Sequence, residues 1–169
     1  SSLVNTQIEG EAPLSMHELQ NLMHQLITGG NETTTSAISH AMWNLIKNPD
    51  QMAKLWANPK LLNNFVEERL RFETPILGLF RMATEDTEIR GTPIPKGSTI
   101  FMAYGAANRD EEKFDHGEEM DIERKNAGAQ IAFGAGAHFC PGAMLARQEL
   151  RSTFEILSER VKDIDLARP

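Results

Sequence analysis

Thiol chemistry in this 169-residue chain is confined to one residue, Cys140. A lone cysteine excludes an internal disulfide, and without a neighbouring Cys/His set it excludes a structural zinc site. Positive charge is also scarce: 17 Lys and Arg stand against 24 Asp and Glu, for a net charge of −7 and a pI near 5.2. That balance argues against nucleic acid or an anionic membrane surface as a partner. No apolar run is long enough to cross a bilayer, and no segment reads as a secretory signal peptide. Internal repeats and low-complexity tracts are absent as well. What remains is a globular chain of ordinary composition, 40 % apolar.

The longest periodic segment runs from Ser15 to about Lys47, with apolar residues at 19, 22, 23, 26, 27, 37, 38, 41, 42 and 45, and reads as one long helix. Ser15 followed by Glu18 forms a capping box, and Asn48-Pro49 closes the segment. At 1.5 Å per residue it spans roughly 50 Å. Its middle holds Gly29-Gly30-Asn31-Glu32-Thr33-Thr34-Thr35. Glycine there costs roughly 1 kcal/mol against alanine and threonine a few tenths, so a purely structural helix has little reason to keep them. A kink or a close helix packing is the plain alternative.

A second helix is expected from Pro59 to Phe72, capped by Asn58. Within it Glu68 and Arg71 are three apart and share a face. From Ile76 to Ile100, alternation punctuated by Gly91, Pro93, Pro95 and Gly97 reads as short strands and turns. Cys140 lies in Phe133-Gly134-Ala135-Gly136-Ala137-His138-Phe139-Cys140-Pro141-Gly142. An amphipathic run with apolar residues at 146, 150, 154, 157 and 161 follows it. Cys140 is therefore expected at a helix N-terminus, where unpaired N–H groups and the helix dipole favour an anion such as a thiolate. A buried free cysteine in a glycine-rich turn is the other reading of the same residues.

The segment 133–142 resembles the haem-binding signature of the cytochrome P450 family, FGxGxHxCxG, at every defined position. The resemblance implies a mainly α fold with a small β region, the C-terminal part of the P450 fold. Residues 1–14 would be an entry loop, 15–72 helical and 73–105 short strands; 106–132 would be a meander, 133–142 the haem-ligand loop and 143–160 the proximal helix. It implies haem b (iron protoporphyrin IX) as cofactor and Cys140 as its thiolate metal ligand. His138 would contact a propionate, and Phe133 would pack beside the sulfur. Gly134, Gly136 and Gly142 would shape the haem cradle.

The other motifs follow in the family's order. Gly29 and Gly30 would leave a groove for dioxygen, Thr33 would hydrogen-bond a water or the oxygen, and Glu32 would feed protons toward it. Glu68 and Arg71 match the ExxR motif, and Arg124, in Met120-Asp121-Ile122-Glu123-Arg124, matches its third partner. Those three would form a buried structural network rather than a catalytic one. Arg81 matches an arginine that faces a haem propionate. The run Ala106-Ala107-Asn108-Arg109-Asp110 resembles the family's ANRDP, with Glu111 where proline is usual. Pro141 also departs from the common aliphatic residue and removes an N–H near the sulfur.

The implied activity is monooxygenation: dioxygen activated at a haem-thiolate centre, with one oxygen atom inserted into a lipophilic small-molecule substrate. A P450-fold peroxygenase or isomerase is an alternative, although such variants often lack the pair matched by Glu32 and Thr33. A non-catalytic fragment is a third reading, because the family's chains are longer and this sequence matches only their C-terminal part. His138, where membrane-bound members usually carry arginine, points to the bacterial type. That implies a cytoplasmic enzyme with no membrane attachment and a ferredoxin or flavodoxin as electron donor. Arg147 and Arg151 are candidates for docking an acidic partner, against the alternative of a solvated helix face. The apolar run Thr74–Phe80 corresponds to a substrate-contacting loop, and an ordinary buried strand would read the same.

Overall fold

The computed structural model describes residues 10, 12–162, 164, 166 and 167, so most of the expected entry loop lies outside the described residues. Helix α1 spans Met16–Lys47 without a break through its two glycines. Its capping box is complete: the Glu18 amide donates to Ser15 Oγ at 3.3 Å, and the Ser15 amide donates to Glu18 Oε2 at 2.8 Å. Asn48 ends α1, but Pro49 also opens a further helix, α2 (Pro49–Ala57), that the punctuation alone did not suggest. The physical reason is that proline stops the preceding helix and equally suits the first turn of the next. Asn58 likewise caps a 3₁₀ turn, Pro59–Leu61, by accepting from the Lys60 amide. Helix α3 proper begins later than expected and spans Leu62–Phe72.

Four short strands follow: β1 (Leu79–Met82), β2 (Thr87–Ile89), β3 (Thr92–Ile94) and β4 (Thr99–Met102). They pair as two antiparallel ladders, β1 with β4 and β2 with β3, with Arg81 opposite Ile100. The β2–β3 turn is Arg90-Gly91, both at positive φ, the geometry whose twist matches a tight hairpin. A single turn, α4 (Tyr104–Ala107), leads into a meander held by turns, and α5 (Ala143–Arg160) closes the fold.

The core lies between the C-terminal half of α1, α3 and α5. Ala37, Ala41 and Leu45 of α1 pack with Leu62, Phe65, Val66 and Leu70 of α3 and with Leu150 and Phe154 of α5. Met120 and Ile122 reach in from the meander. Burial of each large side chain contributes roughly 1.5–3 kcal/mol. The rings of Phe65 and Phe154 meet edge to face at 5.0 Å, the arrangement their quadrupoles favour. Among the described residues the N-terminal half of α1 has no such partner: Leu22, Met23, Leu26 and Ile27 are exposed.

Candidate functional site

The Glu68 carboxylate accepts four hydrogen bonds inside the fold. It and Arg71 are fully buried on α3, and Arg124 of the meander is nearly so. Arg71 grips the carboxylate with Nε at 2.7 Å and Nη2 at 2.8 Å. Arg124 Nε donates to it at 3.2 Å and the Asp121 amide at 2.9 Å. The remaining guanidinium N–H groups bind meander carbonyls. Arg71 takes those of Asn108, Gly117 and Glu119 at 2.7–2.9 Å, and Arg124 those of Asp115, His116 and Glu119. Two guanidinium forks thus convert an irregular loop into a rigid one, because a planar five-donor group fixes several carbonyls at once. The structure brings the three residues of the ExxR reading into one cluster.

Asn108 joins this framework to the cysteine loop. Fully buried, it donates to Thr74 Oγ1 and accepts from the Ile131 amide, both at 2.8 Å. The loop itself turns back on Phe133, whose carbonyl accepts from the Cys140 amide at 2.9 Å. Gly134 and Gly136 sit at φ +73° and +72°, a region that glycine enters without the Cβ penalty. A Cβ on Gly142 would come within 3.8 Å of Cys140 Sγ. Cys140 is a half-buried free thiol. It stands two residues ahead of the N-cap Gly142 rather than in the first turn, and its own carbonyl accepts from the Ala143 amide at 3.2 Å.

Phe133 is clamped from outside. Arg147 of α5 lies 4.6 Å over its ring and pairs with Glu67 of α3, which also accepts from Gln130. Arg147 is therefore paired within the fold while remaining partly exposed, whereas Arg151 is exposed. The Glu67–Arg147 pair spans 80 residues, so no local spacing announces it. Glu67 precedes Glu68 in the same acidic doublet, and that doublet is the one sequence signal of a second framework carboxylate.

On α1, Gly29 and Gly30 leave the helix surface open: an added Cβ would meet only Gln25 Nε2 at 3.5 Å from Gly29 and nothing from Gly30. The Thr33 hydroxyl donates to the Gly29 carbonyl at 2.5 Å, which leaves its oxygen as an acceptor. Glu32 is exposed. Arg81, exposed on β1, contacts only the neighbouring Phe80 carbonyl, and among the described residues no carboxylate pairs with it or with exposed His138. Strand β1 is tied toward the cysteine loop in two steps. The Gly105 amide donates to the Leu77 carbonyl at 3.0 Å, and the adjacent Tyr104 hydroxyl approaches Gly134.

What the fold and these contacts define is a mainly helical protein with small β ladders that displays one cysteine from a glycine loop. The Cytochrome P450 family model matches residues 1–159. Linalool 8-monooxygenase of Pseudomonas putida is 40 % identical over 164 residues, 97 % of this chain and 40 % of that protein. Cytochrome P450 monooxygenase PikC of Streptomyces venezuelae is 41 % identical over 167 residues, 98 % of this chain and 40 % of that one. Among solved structures, CYP109E1 from Bacillus megaterium in complex with testosterone superposes with a TM-score of 0.94 at 33 % identity, covering 98 % of this chain and 46 % of that chain. The chain belongs to the cytochrome P450 family, and it spans about two fifths of the length of these curated relatives.

The family implies a haem, and the donor set fits one. No group of three or more His, Cys, Asp or Glu among the described residues could hold a bare ion. A single soft thiolate suits a metal already carried by a macrocycle. The Arg81 guanidinium and the His138 imidazole, which pair with no carboxylate among the described residues, suit its carboxylates, and the exposed apolar side chains of Leu79, Phe80 and Phe139 suit its flat faces. No helix among the described residues is long and apolar enough to cross a membrane.

Proposed function

We propose that the whole protein is a haem-thiolate monooxygenase that inserts one oxygen atom of O2 into a lipophilic small molecule. The observation that carries this reading is Cys140, the chain's one cysteine, held by the Phe133 carbonyl in a loop braced on Glu68, Arg71 and Arg124. When bound, haem b supplies dioxygen activation at an iron made electron-rich by the thiolate. Cys140 donates the sulfur, and Gly134, Gly136 and Gly142 keep the backbone beside it free of side chains. Arg81 and His138 would hydrogen-bond the haem carboxylates. Gly29 and Gly30 would leave room beside α1, Thr33 would accept or pass a hydrogen bond there, and Glu32 would pass a proton toward it. Positioned proton delivery of this kind accelerates bond cleavage by about 10²–10⁴-fold. Presence of both Glu32 and Thr33 favours monooxygenation over the peroxygenase or isomerase reading.

Relatives named for linalool hydroxylation and for methyl-branched lipid omega-hydroxylation support the lipophilic substrate class and disfavour a non-catalytic fragment. A ferredoxin- or flavodoxin-type donor and a cytoplasmic location complete the proposal, on the bacterial character of His138 and of the relatives. The deciding measurement is the reduced carbon monoxide difference spectrum of the full-length protein. A thiolate-type Soret band that disappears in Cys140→Ser is expected, and a band unchanged in that variant refutes the ligand assignment.

A further inference from the structure

We propose that His40, seated on Glu73, is the proton entry of a polar line that runs along α1 through Ser36 to Glu32. His40 is thereby a positioning residue for the acid at Glu32. The inference deepens the monooxygenase reading and rests on it. Glu32, Ser36 and His40 recur at four-residue intervals, which stack side chains on one face of a helix. With Asn31, Thr35 and Ser39 they line one open groove whose six residues are all polar or charged. Thr35 and Ser39 hydroxyls donate back to the Asn31 and Thr35 carbonyls at 2.8 and 2.9 Å, so their oxygens remain acceptors. The half-buried Ser36 makes no hydrogen bond among the described residues, so its hydroxyl can donate or accept. Glu32 and His40 are about 12 Å apart along the axis. A hydroxyl midway divides that distance into two steps, each short enough for bridging water.

The far end of the line is anchored. The His40 ring is 45 % exposed, yet its Nδ1 is buried, has no hydrogen-bond partner among the described residues and lies 3.7 Å from Glu73 Oε1. Asn44 holds the other carboxylate oxygen at 2.8 Å, and Arg69 Nη2 stands 3.8 Å from it. Arg69 is 1 % exposed, and its Nε and Nη2 likewise lack partners. Native proteins meet buried unpaired polar groups with ordered water. Independently of the groove, two such nitrogens, His40 Nδ1 and Arg69 Nη2, lie 3.7 and 3.8 Å from the Glu73 carboxylate beneath His40. The charged groups around the ring are Glu73, with Arg69 and Arg109 behind it, and Glu32 two turns away on α1. Burial pushes the Arg69 guanidinium down to about 10, opposed by Glu73 and assisted by Arg109, so it stays charged near neutrality.

In this arrangement Nδ1–H faces Glu73 and Nε2 exchanges protons with the groove. A proton taken from bulk water onto Nε2 passes through water at Ser36 to the Glu32 carboxylate. Only N–H and O–H bonds form and break, and solvent replaces each proton delivered.

The test uses the full-length holoenzyme, with His40→Gln and Ser36→Ala as variants. Ser36→Ala raises helix propensity and leaves the contacts of Glu73 intact. Both variants are expected to keep the thiolate Soret band and KM. Both should lose about tenfold in kcat, less than the 10²–10⁴-fold of a directly acting group, and show an enlarged solvent deuterium isotope effect. A crystal structure of the parent should show ordered water at Ser36 Oγ, displaced in Ser36→Ala. Unchanged kcat and isotope effect in both variants would overturn the line, as would a groove filled by apolar side chains from elsewhere in the chain. A parent without a thiolate band would instead overturn the underlying haem reading, and that result is seen before any variant is made.

Discussion

Arg71 and Arg69 stand two residues apart on α3, 0 % and 1 % exposed, and the same change to methionine should affect them oppositely. Arg71 makes two hydrogen bonds to Glu68 and three to meander carbonyls. Arg71→Met leaves those carbonyls buried without a donor and removes half of the charge-assisted bonds of a carboxylate that cannot reach water. Breaking a buried pair from one side costs about 3–5 kcal/mol, against roughly 5–15 kcal/mol for a whole domain. The bonds Glu68 keeps, from Arg124 and the Asp121 amide, hold the loss within that range. Arg69 has one good bond, Nη1 to the Glu73 carbonyl at 2.7 Å, and a loose 3.8 Å approach to a carboxylate that is 34 % exposed. Its desolvation is poorly compensated, and Arg109 adds repulsion. Replacing such a charge by an apolar side chain of similar volume is near neutral, within about 1 kcal/mol. Urea unfolding of the full-length protein reads the difference, provided the slope is common to both variants. The expected gap is at least about 2 kcal/mol. If Arg69→Met is as destabilising as Arg71→Met, hydrogen-bond satisfaction is not what separates the two arginines.

Four shorter expectations accompany it. Gly117→Ala would drive a Cβ into the Arg109 carbonyl and should destabilise by at least the 1–3 kcal/mol or so of overpacking, whereas Gly128→Ala, with nothing within 4 Å, should not shift the urea midpoint. The Ser15 amide and hydroxyl hold Glu18 below the usual carboxylate value. Because the folded value is the lower one, the cap contributes above the unfolded value of about 4.3 and is lost as pH falls through the folded one; hydrogen exchange at the first turn of α1 should speed up over that window, and Ser15→Ala, which removes the hydroxyl and keeps the amide donor, should weaken the pH dependence without abolishing it. Thr33→Ala should leave stability intact and divert reducing equivalents to peroxide or water, so full coupling in the variant would exclude Thr33 from proton delivery. Pro141→Leu restores an N–H near the sulfur and should raise the haem reduction potential, read by spectroelectrochemistry; no change would show that this amide does not reach Sγ.

The parts of the site legible in the sequence are those written in short spacings. A four-residue cap, an i,i+3 pair and a ten-residue glycine loop each carry their own local physics, and each can be read before folding is known. Helix α2 was hidden because Pro49 reads as a stop, and proline has the same φ at the start of a helix as after its end. Asn108, Glu67 and His40 were not singled out for a different reason: their partners lie 23 to 80 residues away or across helices, and burial, not periodicity, selects them. Arg147 shows the error this produces. Its charge on a helix near Cys140 suggested an open cation, while in three dimensions it is committed to Glu67 and the face of Phe133.

The two sides of the site are built by different means. The cysteine loop is fixed by buried ionic contacts among α3, the meander and α5, all within residues 67–147. Such bonds specify position more than they add stability, and position is what a ligating sulfur needs, since a misplaced donor loses orbital overlap within a fraction of an ångström. Helix α1 changes character along its length. From Thr34 to Leu45 one face packs into the core, whereas Glu32, Gly29 and Gly30 are exposed and the apolar face from Leu22 to Ile27 lies open. An isolated stretch of helix that buries nothing is marginal, so the geometry of Gly29, Glu32 and Thr33 is inherited from the buried half and from the Ser15–Glu18 cap. Thr33 stands next to buried Thr34, the first anchored residue. Its hydroxyl is thereby placed by the core, while Glu32 lies on the exposed side of the helix.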